Sequence, residues 1–96
     1  WSRRAQTDRK EIFKYWNKRN KSNIYSKKLN GLFKEAVRLV SQYPEIGKLT
    51  DDKNARIKIV RDYLIIYEVD DKDRLFILTV WDSRQNPQKL EKILRR

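Results

Sequence analysis

Apolar positions along this chain follow two different periods, and the change from one to the other divides it. Ala5, Arg9, Ile12, Phe13 and Trp16 fall at helical spacing, which predicts a helix from a Ser2 cap to about Lys18. The polar run Asn20-Lys21-Ser22-Asn23 is a break with two good capping residues. Beyond it Tyr25, Leu29, Leu32, Phe33, Ala36, Val40 and Tyr43 recur at steps of three and four, predicting a longer helix from about Ile24 to Gln42. Two helices joined by so short a link form an antiparallel hairpin. Gly31 costs the second helix about 1 kcal/mol relative to alanine, so close helix packing is expected there. Pro44 and Gly47 end the hairpin.

After a loop at 48–54 the period becomes that of strands. Residues 55–60 alternate, residues 63–69 are β-branched and aromatic, and residues 74–81 are nearly all apolar. Arg61-Asp62 and the segment 70–73 read as hairpin turns, so a three-stranded antiparallel meander is the simplest result. Asn86-Pro87 reads as a cap and first residue of a short closing helix carrying Leu90, Ile93 and Leu94 on one side.

If Arg61-Asp62 is a two-residue turn, Val60 faces Tyr63, Ile59 faces Leu64, Lys58 faces Ile65, Ile57 faces Ile66, and Arg56 faces Tyr67. Side chains alternate, so Ile57, Ile59, Leu64 and Ile66 share one side of the sheet, and that side is expected to lie beneath the helices. Arg56, Lys58, Tyr63, Ile65 and Tyr67 share the other, which is expected to be open. A one-residue slip exchanges the two sides.

Composition narrows the chemistry. The chain has 96 residues, no cysteine and no histidine, so disulfides, thiolate metal sites and imidazole bases are excluded. Any acid–base step must use Lys, Arg, Tyr, Asp or Glu. No metal or small-molecule cofactor is expected, and one domain spans 1–96. No apolar run approaches the roughly 20 residues of a membrane helix, and no signal segment is visible, so a cytoplasmic protein without membrane contact is expected. The chain opens on Trp1 and has no methionine, so a few leading residues are expected to be missing. The net charge is +11, and residues 1–48 hold thirteen Lys/Arg against four Asp/Glu. Such a field favours a polyanion, either nucleic acid or an acidic protein, although a lysine-rich helical surface also serves solubility. On an open sheet face, cations interleaved with phenols suit a phosphate backbone with stackable bases.

Five features in order carry a resemblance to a known family. They are Trp1-Ser2 with Ala5 and Asp8; Tyr15 before the Asn20 break; Tyr43-Pro44-Glu45-Ile46-Gly47; Arg56, Val60, Tyr63 and Tyr67 in the strand pair; and Trp81-Asp82-Ser83-Arg84-Gln85-Asn86-Pro87. Together they resemble the RelE/ParE toxins of type II toxin–antitoxin systems, the plasmid-stabilisation type. The resemblance implies an α+β fold: the end of a first strand at Trp1-Ser2, a helical hairpin on a three- to four-stranded antiparallel sheet, and a C-terminal helix. It also implies a cognate antitoxin partner, expected to lay an acidic or amphipathic segment on the hairpin.

RelE-like members cut messenger RNA on the ribosome, whereas ParE-like members block DNA gyrase. The first activity is the leading expectation and the second the alternative. Cleavage needs a base for the 2′-hydroxyl and donors for the phosphate. The resemblance places Arg56, Lys58 and Arg84 where RelE-like toxins carry basic residues, so Lys58 is expected as base and Arg56 and Arg84 as phosphate holders. The sheet pattern itself adds Arg61, Tyr63, Tyr67, Trp81, Gln85 and Asn86 as expected nucleic-acid contacts. Trp81 also reads as a core-edge aromatic, and Arg84 as an ion-pair partner of Asp82 or Glu91. The chain departs from RelE-like toxins in carrying Leu64 after the strand tyrosine and about Leu90 where a catalytic tyrosine stands. Its long hairpin is similar to ParE-like toxins.

Overall fold

The structure is a computed structural model that describes residues 1–50, 54–85 and 88–90. Helix α1 spans Arg3–Asn20 and α2 spans Ile24–Gln42. Ser2 caps α1, its hydroxyl accepting from the Ala5 amide at 3.0 Å. Strands β1 (Lys48–Leu49), β2 (Ala55–Val60), β3 (Tyr63–Val69) and β4 (Leu75–Asp82) form one antiparallel sheet in the order β1-β2-β3-β4. The segment expected to be a loop at 48–54 thus supplies a two-residue fourth strand. The expected remnant of a leading strand appears as one edge bond: the Ser2 amide donates to the Ile77 carbonyl on β4 at 2.9 Å. The architecture is α+β, as the sequence implied. Of the closing helix, one turn at 88–90 is described; Ile93 and Leu94 lie outside the described residues.

The register of β2 on β3 is the expected one, with Val60 opposite Tyr63 and Arg56 opposite Tyr67. The facing is the reverse of the expectation. Tyr63, Ile65 and Tyr67 belong to the buried cluster with Leu29, Phe33, Ala36 and Val40 of α2. The Phe33 ring meets Tyr63 edge-on at 5.7 Å and stacks on Phe13 at 6.1 Å. Ile57, Ile59, Leu64 and Ile66 lie on the side away from the helices. There Ile59 is 64% exposed, while Ile66 is buried. Aromatic bulk decides the outcome. A buried tyrosine removes more apolar area than an isoleucine and its hydroxyl can be satisfied at the rim of the core. Both tyrosines find such partners.

A second expectation also fails. Gly31 is exposed, and a Cβ there meets nothing within 4 Å. It marks no close packing between helices. Tyr43 lies beyond α2 and is 58% exposed, so it closes no apolar stripe.

Candidate functional site

At the C-terminal end of α2, Pro44 opens a short 3₁₀ turn, Pro44–Ile46, followed by Gly47. Tyr67 reaches this turn from the middle of the sheet. Its hydroxyl donates to the Pro44 carbonyl at 2.7 Å and accepts from the Gly47 amide at 3.0 Å. Burial raises the Tyr67 phenol above its ordinary value, against the Gly47 amide and the nearby Arg56 charge. Arg56 adds a second brace, its Nη1 donating to the carbonyls of Gly47 at 2.8 Å and Glu45 at 3.1 Å. Gly47 is required for space rather than for backbone freedom. Its φ is −71°, but a Cβ there would run into the Tyr67 phenol. The Tyr43–Gly47 motif and the strand residues Arg56 and Tyr67 are therefore parts of one latch.

At the other end of the sheet, Tyr63 accepts a hydrogen bond from Trp16 Nε1 at 2.8 Å. Burial pushes its phenol up as well. Tyr63 is 3% exposed, Tyr67 0% and Trp81 7%, so none offers a face on which a base can stack. The expectation of an open aromatic face is corrected here. Trp81 takes the core-edge role.

Arg84 is clamped by Asp82. Its Nε donates at 3.0 Å and its Nη2 at 2.8 Å to the two carboxylate oxygens, and its own amide donates to the same group at 2.9 Å. These bonds lower the Asp82 carboxyl and raise the guanidinium.

The three residues expected to act together do not converge. Lys58 is level with Val80 across β3, about 10 Å away at two strand spacings. Arg84 lies four residues beyond Val80, and Arg56 is turned toward the latch. Arg61 is exposed in the β2–β3 turn with φ 56°, and Gln85 is exposed after β4. Asn86 lies outside the described residues.

The sequence reading missed a cleft of about 510 Å³ between α1 and the end of β4, lined by Arg4, Asp8, Glu11, Tyr15, Trp81 and Arg84 among others. Asp8 fastens its floor, accepting from the Val80 amide at 3.1 Å and from the Thr79 hydroxyl on the free edge of β4. The signal was present. Positions 4, 8, 11 and 15 recur at helical spacing and form a polar stripe beside the apolar one.

Comparison with curated proteins gives no match. The family described as "ParE toxin of type II toxin-antitoxin system, parDE" matches residues 1–87. That span takes in both helices, all four strands, the latch and the Arg84 clamp. The chain belongs to the ParE toxin family and is the toxin of a type II toxin–antitoxin pair.

Proposed function

We propose that this toxin arrests growth by binding DNA gyrase and blocking it, without cutting RNA. The observation that carries this reading is the inward turn of the Tyr63–Tyr67 side of the sheet. Ribonuclease action needs a base within hydrogen-bond reach of the 2′-hydroxyl and cations that close on one phosphate. Here the candidate base Lys58 stands apart from Arg84, Arg84 is held by Asp82, and Arg56 braces carbonyls. The stacking aromatics are packed away. What the chain offers a partner is surface: a long basic hairpin and a cleft beside it. Surface is sufficient for inhibition by occupancy.

The antitoxin in this reading neutralises the same surface with an acidic or amphipathic segment along the hairpin. Its affinity then weakens as salt is raised.

The test pairs two assays of the purified toxin. Supercoiling by purified gyrase is expected to stop at micromolar toxin, while messages in a translating extract stay intact. Unaffected gyrase together with cleaved transcripts would reverse the reading and restore the ribosome as target.

A further inference from the structure

Between Glu11 and Glu35 the chain carries seven Lys/Arg and not one Asp/Glu, so residues 12–34 account for +7 of the net +11. All seven side chains are exposed. Five of them, Lys18, Arg19, Lys21, Lys27 and Lys28, surround the tip where α1 passes into α2.

The tip is a fixed object. Lys21 takes a left-handed φ of 51°, and its amide closes on the Asn17 carbonyl. The Ser22 amide bonds the same carbonyl at 3.2 Å. Buried Ser26 ties the two helices together, its hydroxyl donating to the Phe13 carbonyl at 3.0 Å. The bond from Trp16 to Tyr63 brings the β2–β3 turn, with exposed Arg61, to this same end.

These charges do little for the fold. Among the described residues the ion pairs are Arg74–Asp70, in the β3–β4 turn, and Arg84–Asp82, at the end of β4. Lys18 and Arg19 suit the negative end of the α1 dipole. Lys27 and Lys28 stand in the first turns of α2, at the positive end, where a cation is disfavoured. Mutual repulsion adds to that cost, and an external anion relieves both.

We propose that the hairpin tip is a contact site for the phosphate backbone of duplex DNA. Scarce apolar surface at the tip itself favours nucleic acid there over a folded protein or a membrane, while an antitoxin segment can lie farther along the hairpin. A protein interface buries an apolar, aromatic-rich core from which lysine is depleted. A membrane anchor needs an apolar face to insert. At the tip Ile24 is 75% exposed, and Tyr15, 48% exposed, lies one turn before Arg19 on α1, while Phe13, Trp16, Leu29 and Leu32 are turned inward, so the exposed apolar side chains are few and scattered. A phosphate backbone asks only for cations at fixed positions, and lysine serves as a point charge. This contact does not depend on which surface holds gyrase, and it can be measured without the enzyme.

The experiment is fluorescence anisotropy of a labelled duplex of about 20 base pairs with the full chain, titrated at several salt concentrations. With three or four phosphates engaged, the log–log salt slope is about −2.7 to −3.6, and affinity falls roughly 40- to 150-fold between 50 and 200 mM salt. The triple variant Lys18→Gln, Lys21→Gln, Lys27→Gln is expected to bind at least tenfold more weakly, with a slope shallower by about 2 to 3. The control Lys10→Gln, Arg38→Gln, Lys48→Gln removes the same charge from exposed positions away from the tip and is expected to bind within about threefold of the parent. Circular dichroism verifies that both triples are folded. Equal weakening by the two triples would reduce the effect to net charge and overturn the site. So would tighter binding to phosphatidylserine vesicles than to the duplex, or a tip variant that loses antitoxin but keeps DNA. A toxin that binds duplex through the tip but leaves gyrase unaffected keeps this site and sinks the gyrase reading.

Discussion

The two ends of α2 use the same residue types for opposite purposes. Its C-terminal end meets the latch, where Arg56 and the Tyr67 hydroxyl are consumed in holding the carbonyls and amide of residues 44–47. Its N-terminal end, about 28 Å away along a 19-residue helix, carries cations among which the described structure shows no ion pair to a carboxylate. A basic or aromatic residue is informative about function only once its bonds are counted. At the latch they are spent on the fold. At the tip the lysines are open to a partner, while Arg19 is engaged, its Nη1 donating to the Tyr15 hydroxyl at 3.4 Å and its guanidinium lying over the Trp16 ring.

The contrast predicts that changes at the latch move stability and changes at the tip do not. The largest effect is expected from Tyr67→Ala, which removes a fully buried ring and leaves the Gly47 amide and Pro44 carbonyl without their partner. A loss of about 3–5 kcal/mol in urea unfolding is expected. A loss under about 1 kcal/mol would show that the latch is ornamental. Next comes Gly47→Ala. The added methyl meets the Tyr67 phenol, so a cost of about 1–3 kcal/mol is expected, and combining it with Tyr67→Ala should recover most of that cost. Additive losses in that double variant would disconnect the glycine from the tyrosine.

A smaller and opposite effect is expected midway along α2. Gly31 is exposed with open space around it, so Gly31→Ala should stabilise the chain by up to about 1 kcal/mol, read as a higher melting temperature. A melting temperature that falls would mean a neighbour fills that space. The smallest effect belongs to the tip, where each glutamine substitution at Lys18, Lys21 and Lys27 should stay within about 0.5 kcal/mol. A larger destabilisation would give those lysines a part in the fold and erase the contrast.

Much of this was legible in the sequence. The bounds of α2 and the pairing of β2 with β3 follow from periodicity and from a two-residue turn. Which side of the sheet meets the helices was not legible, because both sides carry apolar residues. Ile57, Ile59, Leu64 and Ile66 compete with Val60, Tyr63, Ile65 and Tyr67, and alternation alone cannot choose between them. The choice rests on long-range bonds. Tyr63 needs Trp16, 47 residues earlier, and Tyr67 needs the turn at residue 44. Arg56 and Lys58 complicated the reading further. They share the helix-facing side, but they stand on β2 near the sheet margin, half-buried, where long side chains can keep their charged heads at the surface. Two cations on one side of a strand therefore did not mark that side as open. The register shift between Ile66 and Tyr67 opposite β4 left no trace in the pattern.

The central claim is that the basic residues of the sheet perform no chemistry. Lys58→Ala tests it most directly, since Lys58 is the residue a ribonuclease mechanism would need as its base. Growth arrest and gyrase inhibition by this variant should match the parent toxin within about twofold, because removing a group that transfers no proton costs no rate. A loss of about 100-fold or more in a folded variant, accompanied by transcript cleavage that the parent performs and the variant does not, would contradict the account.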